Sequence, residues 1–263
     1  MIPVRYVDNH LLVVEKPAGM LSQADHTGDE DMLTRMKSWV GEQFSKPGNV
    51  YLGLVHRLDR PASGLMVFAR TSKAASRLTD QFKRRTVEKR YLAWVEGRTP
   101  DEALWEDHIL KRDQSIRVAE STEVGAKPAS LDLQTIGFEG GRSLVVLHLH
   151  TGRPHQIRVQ CASRGFPLVG DLRYGAGTTL DGRNLALHAA ALALDHPTRT
   201  ARLGWIAPRP IRGQQRSNPF QHLGWISGNR LADIRSLCRL SRPSSRAPSG
   251  FFSVVSIRWC ELP

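Results

Sequence analysis

Hydrophobic and polar positions along this chain switch between a period of two and a period near 3.6. The breaks between them outline a mixed α/β protein. In "YVDNHLLVVEKPAGML" (6–21) a β-branched apolar run stops at Pro17 and Gly19, the pattern of a strand entering a turn. The next stretch, "SQADHTGDED" (22–31), is polar, lacks periodicity and reads as a mobile loop. Leu33, Met36, Val40 and Phe44 then recur at helical spacing, predicting a helix over 31–44 with Asp31 near its start. "GLMVFART" (64–71) predicts a buried strand. Residues 72–85 predict a helix with Ser72 as N-cap, and Ala75, Leu78 and Phe82 on one face. That helix ends in Lys83-Arg84-Arg85, cations that suit its dipole.

Residues 87–97 alternate as a strand, with Val87, Lys89, Tyr91, Ala93 and Val95 on one face. Strands over 130–139 and 143–152 meet at Gly140-Gly141, a hairpin signal. "PHQIRVQCASRG" (154–165) is helical in pattern and ends at Gly165, an expected C′ residue. "NLALHAAALALDHP" (184–197) fits strand or helix equally. The fold class expected is α+β, with a central mixed, mostly antiparallel sheet flanked by helices and loops.

Composition adds a division and a partner class. The 263 residues carry a net charge of +12, which favours a polyanionic partner such as nucleic acid. Half of it sits at one end, because residues 212–263 hold eight Arg, no Lys and two acids, Asp233 and Glu261. That segment is poor in core-forming residues apart from the burst "FFSVVSIRW". The expected division is therefore a body over 1–211 and a basic tail over 212–263 with the composition of a disordered segment. No apolar run is long enough to span a membrane, and the N-terminus lacks a secretory h-region. Cys161, Cys238 and Cys260 show neither a disulfide framework nor paired zinc spacing. A cytoplasmic address and a monomer are the defaults.

Candidate chemistry gathers in three places. In "HRLDRPASG" (56–64), Asp59 fits a surface pair with Arg57 or Arg60, a turn cap, or a carboxylate nucleophile kept ionised by a nearby guanidinium. In "HTGRPHQIR" (150–158), Arg158 lies in the first turn of the predicted helix, opposed by the dipole yet able to reach into a cleft. In "RRTVEKRYLAW" (84–94), bases surround Tyr91 and Trp94, a mixture that serves phosphate contact and base stacking or, as well, an ordinary half-buried strand. His148 and His150 share a strand face, but no carboxylate or Cys falls at a familiar ligand spacing, so no metal is expected. "GAGTTLDGR" (175–183) lacks the Lys-Ser/Thr of a P-loop, and there is no Gly-x-Ser-x-Gly elbow.

Six blocks, in order, resemble the RluA-type pseudouridine synthases. They are Lys16-Pro17-Ala18-Gly19; His56-Arg57-Leu58-Asp59 with Ser63-Gly64-Leu65; Lys89-Arg90-Tyr91-Leu92; Gly152-Arg153 with His155-Gln156-Ile157-Arg158; Val169-Gly170-Asp171 with Tyr174-Gly175; and Leu187-His188-Ala189 with His196-Pro197. The resemblance runs over about residues 5–210. It implies the pseudouridine synthase catalytic fold without an S4-like domain, and isomerisation of specific uridines in structured RNA, ribosomal or transfer, after base flipping. Asp59 matches the family's catalytic aspartate, Tyr91 its base-stacking tyrosine and Arg158 the basic residue paired with the aspartate. Arg57 matches the arginine that displaces the flipped nucleotide. Around them His56, Arg60, Lys89, Arg90, Arg153 and His155 are the expected RNA-binding residues. Neither a metal nor a small-molecule cofactor is implied.

Two departures from the family pattern remove hydroxyls: Pro61-Ala62 before Ser63-Gly64, and Pro154 before His155. The alternative from another class is a non-catalytic RNA-binding protein or RNA chaperone on the same fold. A uracil-releasing hydrolase is a third reading.

Overall fold

The computed structural model describes residues 1–207 and the backbone of a two-residue strand, Arg258–Trp259. The rest of the basic tail lies outside the described residues. Twelve strands form one sheet: β1 Val4–Val7, β2 Leu11–Lys16, β3 Gly53–Leu54, β4 Ser63–Ala69, β5 Glu88–Glu96, β6 Glu102–Arg112, β7 Ser115–Ala119, β8 Lys127–Glu139, β9 Arg142–Leu149, β10 Leu187–Asp195, β11 Arg202–Ile206 and β12 Arg258–Trp259. Their main order is β1-β2-β4-β10-β5-β9-β8-β6-β7, with β3 beside β4, β11 beside β10 and β12 beside β11. Only β4–β10 and β11–β12 are parallel. Three helices, α1 Met32–Gln43, α2 Ser72–Arg84 and α3 Gln156–Ala162, pack on this frame.

Alternation explains the layers. In β2, Leu11 and Val13 face α2 and meet its Ala74 and Leu78, while Leu12 and Val14 face α1 and meet Met32, Met36 and Val40. With a helix on each side, all seven residues of β4 are buried, which is why its sequence is a continuous apolar run. In β5, Tyr91, Ala93 and Val95 join Val145, Leu147 and Leu149 of β9 beneath Ile157 and Cys161 of α3. Its even residues Leu92 and Trp94 line the reverse face. The far end of the sheet reaches α3 through Ile109, Ile116 and Ala129, which pack around Val159.

The stretch that fitted strand or helix is strand: β10 is buried along its length except at Asp195, so it shows no alternation. The N-cap of α2 is Thr71, one residue earlier than expected; its Oγ1 accepts from Ala74 N at 3.2 Å, and Ser72 is the first helical residue. Asp31 caps α1 as expected, accepting from Thr34 N. The 22–31 loop is anchored at both ends, because Leu21 bridges Asp31 and buried Ser22 bonds Leu58. At the parallel β4–β10 junction Gly64 has φ +115°, and a Cβ there would lie 2.4 Å from Ala189 backbone atoms. Only glycine permits that approach.

Candidate active site

Asp59 lies on the short loop between β3 and β4, and the fold restrains that loop from several sides. Ser22 Oγ donates to Leu58 O at 2.7 Å and accepts from Leu58 N at 3.1 Å. Lys16 is fully buried, and its Nζ donates to the carbonyls of Pro17, Met20 and Arg60 at 3.0, 2.7 and 3.0 Å. Burial lowers the Lys16 pKa to about 7, against the pull of the nearby Asp59 charge. Ala62 N closes the turn onto Asp59 O at 3.1 Å. Ala62 is itself buried in the cluster with Ala93, Ile157 and Leu187, so the hydroxyl missing from position 62 would have met apolar side chains there.

The partners of Asp59 come from α3. His155 precedes that helix in the left-handed region, φ +50°, and its Nε2 lies 3.8 Å from Asp59 Oδ2. Its Nδ1 is 2.8 Å from the Tyr174 hydroxyl. Burial lowers the His155 pKa, an effect that Asp59 opposes and Arg158 reinforces. Arg158 is buried, with Nη1 3.3 Å from Asp59 Oδ2. Its Nε and Nη2 form a fork on the carboxylate of buried Asp171, both at 2.7 Å, and its guanidinium stands 5.0 Å from the centre of the Tyr174 ring. Burial alone would lower the Arg158 pKa; the hydrogen bonds and charge of Asp171, helped by Asp59, reverse that and raise it.

These groups open onto a cleft of about 820 Å³. Tyr91 stands in its wall with its hydroxyl pKa raised, first by burial and then by Asp59. Arg57, Arg60, Lys83, Arg85, Lys89, Lys111 and Arg153 supply positive charge around it. Burial and the neighbouring Arg85 lower the Lys89 pKa.

Sequence expectations and geometry part in several places. Asp59 is paired through Arg158 and not through its sequence neighbours, since Arg60 reaches Asp29 at 2.6 Å and Gly19 O at 3.0 Å. His56 is half-buried in the cleft wall, where it accepts from Val67 N through Nε2 and stacks on Phe82 at 4.9 Å, and burial is the main cause that lowers its pKa to about 3. Arg90 falls on the reverse face of β5, opposite His148, because strand neighbours point to opposite sides. Lys16, Asp171 and Tyr174 stood in the quoted blocks without a role. Nothing in their local sequence shows that one is buried under the loop and the others brace Arg158.

Residues 10–163 match the family model described as RNA pseudouridylate synthase, spanning Asp59, Tyr91 and Arg158 in one stretch. This chain belongs to that family. Its members are isomerases that modify RNA, and relatives bear the membership out. The chain is 32% identical over 212 residues to an RNA pseudouridine synthase of Bacillus subtilis, YlyB, covering 80% of this chain and 69% of that one. It is 32% identical over 217 residues to ribosomal large subunit pseudouridine synthase D of Nitrosomonas europaea, covering 80% of this chain and 62% of that one. Among solved structures, human RNA pseudouridylate synthase domain containing 1 shares the fold with a TM-score of 0.68 at 24% identity, over 92% of this chain and 96% of that one.

Proposed function

We propose that this pseudouridine synthase isomerises uridines of ribosomal or transfer RNA, with Asp59 as the attacking carboxylate. The observation that carries the reading is the Asp59–Arg158–Asp171 chain beside Tyr91 at the foot of a basic cleft. In the reaction the N1–C1′ bond breaks, the uracil turns, and a C5–C1′ bond forms. The C5 proton leaves and N1 gains a proton, so atoms and electrons balance without a redox partner. Asp59 bonds to the nucleotide as the N1–C1′ bond breaks, and that bond breaks in turn as C5–C1′ forms, so the carboxylate is returned. Arg158, gripped by Asp171, gives one N–H to Asp59 Oδ2 and leaves Oδ1 to the substrate. A base inside a duplex cannot reach this depth, so it is flipped, at a cost of a few kcal/mol. Stacking on Tyr91 and insertion of exposed Arg57 offset that cost, while Lys89, Arg153 and Arg60 hold phosphates.

Residues 1–211 carry this activity, as a cytoplasmic monomer. One relative's name, ribosomal large subunit pseudouridine synthase D, favours ribosomal RNA as the first substrate to try. The test is Asp59→Asn against wild type, on RNA carrying 5-tritiated uridine. Tritium release should vanish while RNA affinity is kept. A variant that still releases tritium would remove Asp59 from its role. Failure of the wild type on both ribosomal and transfer RNA would favour the non-catalytic binder.

A further inference from the structure

Where the β8–β9 pairing ends, three potential metal ligands converge across two strands, and one of them, His150, also stands in the wall of the Asp59 cleft. His148, at the end of β9, and His150 are two residues apart and share a face, and Asp132 of β8 pairs directly with His148. Asp132 Oδ2 lies 2.9 Å from His150 Nε2 and 3.4 Å from His148 Nδ1. One donor atom from each residue falls within 4.8 Å of the others, and among the described residues this is the one such group of three. We propose that Asp132, His148 and His150 form a binding site for a zinc-class transition-metal ion.

Two features support this. Ligands held 2.0–2.1 Å from a tetrahedral ion stand about 3.3 Å apart, and the two distances to Asp132 Oδ2 bracket that value. Two imidazoles and one carboxylate suit zinc and its neighbours rather than magnesium or calcium, which take oxygen ligands. Arg90, paired with His148 across β5 and β9, opposes a divalent cation, and the Asp132 carboxylate offsets it. All three side chains are part-exposed, leaving the fourth position to water. No carboxylate was apparent from ligand spacing because Asp132 lies sixteen residues before His148 and meets it only across the β8–β9 hairpin. The ion would tie β8 to His150, just ahead of Gly152 and Arg153 in the cleft wall.

The test uses untagged, chelator-stripped full-length protein titrated calorimetrically with zinc chloride, and with cobalt(II) as a visible reporter. One equivalent should bind, with the intense d–d absorption of a tetrahedral cobalt site. His150→Gln and Asp132→Asn should each weaken binding by at least about tenfold, the least that loss of a supporting partner costs. His26→Gln, which is not one of the three ligands, should change nothing. Unaltered thermal midpoints in chelator will show that the variants are folded. A wild type that binds no zinc in the micromolar range, or binding that survives both substitutions, overturns the site.

Discussion

Replacing Asp171 by Asn keeps its shape while removing its charge and turning an amide N–H toward one arm of the Arg158 fork. Asp171 accepts two hydrogen bonds of 2.7 Å from a guanidinium that is itself buried. Breaking one partner out of a buried pair costs about 3–5 kcal/mol, and the low end applies here because Asp59 stays as a second carboxylate. For a folded body of this size each kcal/mol moves the thermal midpoint by about 2–4 °C, so a fall of about 6–12 °C is expected. The catalytic consequence is separate. Without its clamp Arg158 is free to swing onto Asp59 and cover the oxygen that the proposed mechanism leaves to substrate. A misplacement of about 1 Å at a reacting group costs about a hundredfold in rate. Single-turnover tritium release, measured well below the lowered midpoint, should therefore fall about a hundredfold. RNA affinity should hold, since Asp171 is buried away from the cleft surface. A near-wild-type rate, or an unmoved midpoint, would show that Asp171 does not position Arg158.

The other predictions read out separate parts of the molecule. His188 is buried against Ser63 Oγ at 2.9 Å with its pKa lowered to about 4, chiefly by burial. The unfolded chain therefore binds the extra proton first, and stability should fall as pH drops from about 6.5 towards 4, by about 1 kcal/mol per pH unit at the steepest. Urea denaturation at pH 7 and pH 5 should show this, with a flatter profile for His188→Gln; equal profiles would count against a neutral buried His188. Gly64→Ala should yield little folded protein in expression and circular dichroism, because its Cβ would overlap the Ala189 backbone; a normally folded variant would contradict the β4–β10 approach. Lys89→Ala should weaken binding to all RNA sequences alike and reduce the slope of log affinity against log salt by about one phosphate contact; an unchanged slope would place Lys89 away from the RNA.

How far the sequence revealed the fold depended on which faces each element buries. β4 and α1 were legible because their apolar residues recur with a clear period or without interruption. β6 and β7 went unread because each has a solvent face and a scattered core face. Trp105 is cut off from Ile109 and Leu110 by Glu106 and Asp107, and in β7 Ile116 is buried while Val118 is only half-buried. β3 and β11 are short, and each is placed by the strand it pairs with, β4 and β10. Such pairing is decided by tertiary context rather than local propensity.

The site shows the same limit more sharply. Arg158 drew notice as a cation in the first turn of a helix, where the dipole disfavours it. The structure accounts for its place with two carboxylates, Asp59 from ninety-nine residues earlier and Asp171 from thirteen later, brought to the same helix end. Neither spacing carries a local signal, because one contact crosses the sheet and the other spans a turn. The pair changes the energetics of the position from a buried, dipole-opposed charge to one held by charge-assisted hydrogen bonds on both sides. It also divides the labour: Asp171 takes the two short bonds that fix the guanidinium, and Asp59 takes the single long one. In the proposed mechanism the attacking carboxylate must not be fully satisfied in the resting enzyme, and this asymmetry leaves Asp59 the weaker-bound of the two.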